Sequence, residues 1–231
     1  MSIESLYNKW HDQIKPNASA NSIWHKKFFQ QDILKTLQGK TILEIACGRG
    51  EFANELSKST DLNFTYTGCD ISDSAILQAQ RNVVDHRMTF VKMDVNNINF
   101  DTDHFDVVIS FETIEHSPTL STAVKELCRV LKPNGTLYIS TPNYLNSWGL
   151  YRIYRRIIGK RWTEAGQPIN KFVIIPHTLV LLRRAGIELD EWGSSIFSYP
   201  SLQRKVKHLQ ISENKFTRWF GLQSYFRGRK R

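Results

Sequence analysis

From residue 41 onward, short apolar runs recur at regular intervals between segments of helical spacing. The runs "TILEIA" (41–46), "FTYTGCD" (64–70), "MTFVKMD" (88–94), "FDVVIS" (105–110) and "GTLYIST" (135–141) are rich in β-branched and aromatic residues. Short, nearly continuous runs of this kind are expected of strands covered on both faces. Between them, residues 50–59, 73–84 and 119–131 repeat apolar positions every three to four residues, as helices packed against a sheet do. The alternation predicts an α/β fold with a parallel, doubly wound sheet. Ahead of it, "SIWHKKFFQQDILKTL" (22–37) has helical spacing and ends near Gly39.

Past Pro142 the rhythm changes. "NSWGLYRIYRRIIGKRW" (146–162) reads as an inserted helix, "PHTLVLLRRAG" (176–186) as another, and "IELDEWGS" as the start of a late strand. On a helical wheel at ~100° per residue, Leu150, Tyr151, Ile153, Tyr154, Ile157 and Ile158 share an arc of ~160°. Arg152, Arg155 and Arg156 occupy the other side, and Trp148 and Trp162 flank the segment. An apolar face with aromatic flanks and an arginine face suits a helix lying on an anionic membrane. It equally suits a flap over a substrate pocket. The last 30 residues mix Phe216, Trp219, Phe220, Tyr225 and Phe226 with Lys and Arg, and the pattern assigns them no element.

Composition narrows the class. The chain has 231 residues, 41% hydrophobic and 12% aromatic, enough for one α/β domain with an added flap. Cys47, Cys69 and Cys128 include no C-x-x-C pair, which speaks for a reducing compartment rather than a disulfide framework or a zinc cluster. The start "MSIESLYNKWHDQIKP" has no basic-then-apolar signal pattern, and no apolar run approaches the ~18 residues of a membrane span. The expected location is cytoplasmic, with a peripheral position on the inner face of the membrane as the alternative. Charge is uneven: residues 1–144 carry 14 Lys and Arg against 17 Asp and Glu, and residues 145–231 carry 17 against 5. The basic rear should meet an anionic partner: membrane, nucleic acid or phosphorylated substrate.

The chemistry concentrates at the strand ends, where open α/β sheets bind ligands. Glu44 lies within the first strand, Asp70 closes the second and Asp94 the third, while Gly48 and Gly50 supply a tight turn. A dinucleotide turn reads G-x-G-x-x-G and faces a pyrophosphate. Here the run is A-C-G-R-G-E-F, with no third glycine and with Glu51 at the helix start, where it would repel a pyrophosphate. Carboxylates suit a ligand with ribose hydroxyls, an amine and a positive centre, and S-adenosylmethionine (SAM) has all three.

The ordered set "ILEIACGRGEF", "GCDIS", "KMDVNNINF", "FDVVISFETIEH" and "RVLKPNGTLYISTPN" resembles the successive motifs of class I SAM-dependent methyltransferases over about residues 40–143. The resemblance implies a Rossmann-like, mostly parallel seven-stranded sheet with helices on both faces and a helical flap insertion. It implies that the Ala46–Gly50 turn, Gly48 and Gly50 included, runs beside the methionine part of SAM. Glu44 would hold the amino group, often through water. Asp70 would take the ribose hydroxyls, Ile71 would pack on the adenine, Asp94 would accept from the adenine amine and Val95 would offer its amide. Phe111 would lie near the methionine moiety. Ala46 departs from the family, which usually has glycine there. Cys47 reads as a small buried residue rather than a nucleophile.

For the acceptor side, Glu112, Glu115 and His116 follow the fourth strand, and His116 titrates near neutrality, which makes it the natural base for a hydroxyl. E-x-x-E-H also resembles ubiquinone-biosynthesis O-methyltransferases and small-RNA 2′-O-methyltransferases, in which these residues bind a divalent metal with a later histidine. Gln167 stands near that later position and His177 follows about ten residues on, which weighs against a metal. Trp10, His11, Trp24 and His25 fall in an N-terminal segment that often forms a lid in the family. The expected organisation is a lid (1–40), a SAM-binding core (41–143), a basic flap (144–175) and the rest of the core with a basic aromatic tail (176–231). The expected activity is SAM-dependent O-methylation of a small-molecule, glycan or lipid-linked acceptor near a membrane. An RNA methyltransferase and a non-catalytic SAM-binding membrane adaptor are the alternatives.

Overall fold

A computed structural model describes residues 2–13, 28–29, 34–160, 166–195 and 215–231. In chain order the helices are α1 (Ile3–Gln13), α2 (Glu51–Ser57), α3 (Asp73–Asn82), α4 (Leu120–Val130), α5 (Ser147–Ile157) and α6 (Ile175–Arg184). The strands are β1 (Lys40–Ile45), β2 (Phe64–Asp70), β3 (Met88–Lys92), β4 (Phe105–Phe111), β5 (Leu131–Pro142), β6 (Ile187–Ser195) and β7 (Gln223–Lys230). They form one seven-stranded sheet in the order β3-β2-β1-β4-β5-β7-β6. Every pairing from β3 to β5 is parallel, and β7 runs antiparallel to both of its neighbours.

Strand alternation divides the core in two. On one face Ile42, Tyr66, Phe90, Val107, Ile109 and Phe111 pack with Phe52 and Leu56 of α2, Ile76 and Ala79 of α3, and Phe28. On the other, Leu43, Ile45, Val108, Leu137 and Ile139 meet Leu127 of α4 and Leu179 and Leu182 of α6. Because successive side chains point to opposite faces, a run such as Ile42-Leu43-Glu44-Ile45 is apolar almost throughout.

The β-strands and helices expected between 41 and 141 are present, with shifted ends. The third strand stops at Lys92, so Asp94 stands two residues beyond it, in a turn bridged to Asn97. The inserted helix is shorter than 146–162, and Trp162 lies outside the described residues. Of the helix expected over 22–37, only Phe28–Phe29 and a 3-10 turn at Leu34–Leu37 are described, and Trp24 and His25 are outside. The unassigned end of the chain supplies β7. Tyr225 and Phe226 are buried on opposite faces of the sheet. These two rings are core rather than available for stacking on bases.

Gly68 is the tightest point of the first face. A Cβ there would lie 2.7 Å from the Phe90 ring and 3.1 Å from that of Tyr66. Overpacking a core typically costs about 1–3 kcal/mol. Gly68→Ala should therefore lower the stability by about that amount, read as a shifted urea midpoint at unchanged slope.

Candidate active site

The carboxyl ends of β1, β2 and β4 meet at the crossover between β1 and β4, where the strand order reverses. β1 leads into a turn whose backbone is left-handed at Ala46 (φ 61°), Gly48 (φ 55°) and Gly50 (φ 81°). Gly50 serves twice, since a Cβ there would also press on Val83 at 3.2 Å and Ala79 at 3.3 Å. Ala46 carries a methyl group in a conformation that costs an L-residue roughly 1–2 kcal/mol. That cost is the physical content of its departure from glycine.

Asp70, at the end of β2, ties this turn to the neighbouring strand. Its Oδ2 accepts from the Gly48 amide at 3.1 Å and its Oδ1 from the Ser72 amide at 2.9 Å. Ile71 follows it, half-buried. Burial pushes the Asp70 carboxyl up, and His11, whose Nε2 lies 4.0 Å away, works against that shift together with the backbone amides. The same burial pushes the His11 imidazole down.

Glu44 is buried, and the Tyr66 hydroxyl donates to its Oε2. Burial raises its carboxyl to about 8 despite this bond. Asp94 accepts at 2.8 Å from both the backbone amide and the side-chain amide of Asn96, with Val95 between them, half-buried. Phe111 is buried against the rings of Phe52 (6.0 Å) and Phe28 (6.4 Å). Burial drives the Cys47 thiol up, which removes the thiolate a nucleophile needs.

After β4 the chain passes through Glu112, left-handed at φ 50°. Its amide is held at 3.0 Å by the carbonyl and the hydroxyl of Ser140. Glu115 is 1% exposed, and its Oε2 accepts from the Thr141 hydroxyl at 3.1 Å. His116 Nδ1 lies 2.7 Å from the Ile169 carbonyl, so Nδ1 carries the proton and Nε2 the lone pair. The Glu115 carboxylate is 3.4 Å from Nε2. Burial outweighs the hydrogen bond to Ile169 and lowers the imidazole to about 4, leaving it neutral at pH 7. Among the described residues no group of three or more His, Cys, Asp and Glu is placed to hold a metal. His177 is exposed on α6.

α1 lies across this edge. Asn8 Oδ1 accepts from the Ser72 hydroxyl at 2.7 Å, Asp12 from Ser74 at 2.6 Å, and Lys92 bridges Glu4 (2.6 Å) and Asp73 (2.8 Å). The buried Arg49 donates to the His11 carbonyl. Tyr7 sets its ring 6.3 Å from that of His116 with its hydroxyl beside the Ile169 backbone. Trp10 packs edge-on against His11 at 4.9 Å.

Sequence reasoning passed over Tyr7, Asn8, Arg49, Tyr66 and Thr141. Only Tyr66 left a signal. It sits two residues before Gly68 on the same face, and Gly68 pairs with Glu44, so a phenol can reach across the missing side chain.

A family profile described as "Methyltransferase domain" matches residues 43–139. The chain is 32% identical over 203 residues to a sterol 24-C-methyltransferase of Aspergillus fumigatus, covering 80% of this chain and 52% of that protein. It is 33% identical over 123 residues to a phthiotriol/phenolphthiotriol dimycocerosates methyltransferase of Mycobacterium leprae, covering 53% and 44%. The chain thus spans about half the length of these curated relatives. Among solved structures, a SAM-dependent methyltransferase of Thermotoga maritima superposes with a TM-score of 0.64 at 19% identity over 100% of both chains. One from Mesorhizobium loti gives 0.63 at 13%, over 93% of this chain and 99% of that one. Profile, relatives and fold agree: residues 43–139 are a methyltransferase domain, and the chain has the fold of SAM-dependent methyltransferases.

Proposed function

We propose that the protein transfers a methyl group from SAM to an oxygen of a hydrophobic acceptor, a small molecule, glycan or lipid-linked compound. One observation carries the reading. A buried strand-end carboxylate, a left-handed turn and a neutral histidine share one sheet edge beneath a single helix. The donor set fits SAM: carboxylates at β1, β2 and beyond β3 for amine and hydroxyls, and an acid, Glu51, where a pyrophosphate would sit.

When bound, SAM supplies an electrophilic methyl on a sulfonium. In this reading Asp70 takes the ribose hydroxyls while the amides of Gly48 and Ser72 fix its position. Asp94, Val95 and Ile71 receive the adenine, and Ala46, Gly48, Gly50 and Phe111 line the methionine side. Glu44 holds the amino group. On the acceptor side the Ile169 carbonyl fixes the His116 tautomer, so that Nε2 accepts a hydroxyl proton as the acceptor attacks in line. Glu115 lies beside the ring, Glu112 shapes the loop, and α1 excludes water.

A second reading concerns the acceptor atom. One relative, 32% identical over 203 residues, is named for methylation at carbon, and a neutral imidazole would equally remove a proton from an alkylated carbon centre. The observations that led to the RNA alternative are weaker than the sequence suggested, because Tyr225 and Phe226 are buried.

Four outcomes follow. Incubating the protein and radiolabelled methyl-SAM with cell extract should place label in the lipid-extractable fraction; label confined to RNA would overturn the reading. Asp70→Ala should weaken SAM binding at least ~10-fold by calorimetry, as loss of a charge-assisted hydrogen-bond acceptor does. His116→Ala should leave that affinity intact and slow transfer ~10²-fold or more. Finally, Glu44 is protonated below about 8 in the free protein, and a ligand ammonium favours its carboxylate. SAM binding at pH 7 should therefore release up to about one proton and tighten as pH rises towards 8. Calorimetry in buffers of different ionisation enthalpy reads the proton count, and Glu44→Gln should abolish the release.

A further inference from the structure

We infer that α5 docks the protein on an anionic lipid surface and thereby sets the acceptor side of the site against the bilayer. The inference rests on the methyl-transfer reading only for what the surface delivers.

α5 turns its apolar stripe outward. Leu150, Ile153, Tyr154, Ile157 and Ile158 are 70, 47, 55, 77 and 43% exposed, at the i, i+3, i+4, i+7, i+8 spacing that in most surface helices faces the core. Apolar surface gathered along one helix face marks an interaction site. The helix is held from its other side. Asn146 caps it, accepting from the amides of Trp148 (3.0 Å) and Gly149 (3.2 Å). Arg152 lies 4.5 Å over the Tyr144 ring and donates to the carbonyls of Asn170 and Lys171. Arg155 donates to the Tyr151 hydroxyl at 3.2 Å. Of the arginines opposite the apolar arc, Arg152 thus seats the helix and Arg155 bonds within it, and among the described residues the exposed cations beside the stripe are Arg156 and Lys160.

Charge selects the occupant. Residues 145–160 contain no Asp or Glu, and residues 145–231 carry 17 Lys and Arg against 5 acids. A second copy laid on this helix would oppose cation to cation with no carboxylate between, whereas acidic headgroups supply the missing charge. At eleven residues and ~1.5 Å rise each, the helix is too short to cross a bilayer and long enough to lie along one.

The inner face connects to the site through consecutive residues. Arg152 holds the carbonyls of Asn170 and Lys171, the Asn170 side chain meets the Tyr144 hydroxyl at 3.1 Å, and the adjoining Ile169 carbonyl fixes His116. A lipid-borne acceptor arriving at α5 would enter one short segment away from the imidazole.

Co-sedimentation with phosphatidylcholine vesicles, with and without about 30 mol% phosphatidylglycerol, tests this. The protein should bind the anionic vesicles and bind the neutral ones weakly. Ile153→Ser with Ile157→Ser should lower partitioning at least ~10-fold. Arg156→Glu with Lys160→Glu should lower it similarly and flatten its salt dependence. SAM affinity should be unchanged in both variants, which reports an intact fold. Absence of binding by the unaltered protein, or undiminished binding by the serine variant, would overturn the proposal. So would a dimer of the unaltered protein that the serine variant converts to monomer without any vesicle binding. Failure of SAM binding in the unaltered protein would instead count against the methyl-transfer reading and leave the vesicle result standing.

Discussion

The site is organised around one buried carboxylate. Asp70 stands at the end of β2, yet its oxygens are spent on the amide of Gly48, which follows β1, and on the amide of Ser72, which opens α3. Removing such a group from water is costly unless hydrogen bonds and a nearby positive charge compensate. The amides supply the first, and His11 of α1, with Nε2 4.0 Å from Oδ1, opposes the rise that burial causes. A single side chain therefore joins two strands, a turn and a helix, and it ties the N-terminal segment to the cleft. The left-handed backbone at Ala46, Gly48 and Gly50 follows from the same demand, because only that curvature brings the Gly48 N–H round to the carboxylate.

A second tier of contacts surrounds His116. Its partners come from three parts of the chain: Glu115 beside it, Tyr7 from α1, and Ile169 from the segment between α5 and α6. Each alone is weak. Together they fix a tautomer and keep the ring dry, and dryness keeps it neutral. In the proposed reading, the pieces that hold the cofactor side belong to the sheet, while those that hold the acceptor side belong to insertions around it. This division lets one core serve many acceptors, since insertions change without disturbing strand pairing.

Much of this was legible in the residues. Strands buried on both faces leave short β-branched runs, so the first five strands and the helices between them stand out. Acids at their ends stand out equally, because Asp and Glu are rare at the rim of so apolar a sheet. β7 was hidden because its sequence, "QSYFRGRK", has only two adjacent apolar residues and is crowded with cations. Its burial depends on β5 and β6 being already in place on either side. Asp94 lies beyond its strand because the turn with Asn96 and Asn97 stops the ladder at Lys92, a local competition that spacing does not reveal.

The sequence by itself determined the alternation of elements, the turn, the acids and so the methyl donor, since these are local or periodic properties that each segment carries wherever it sits. Only the tertiary structure decided which groups face one another. Tyr66 reaches Glu44 across the gap at Gly68, Arg49 holds α1, and Tyr7 and Ile169 meet at His116. The structure also set the orientation of α5: its periodicity was plain, but which face met water depended on where Tyr144, Asn170 and Phe172 left room for Arg152. Periodicity defines a helix with two unlike faces, and only packing chooses between them.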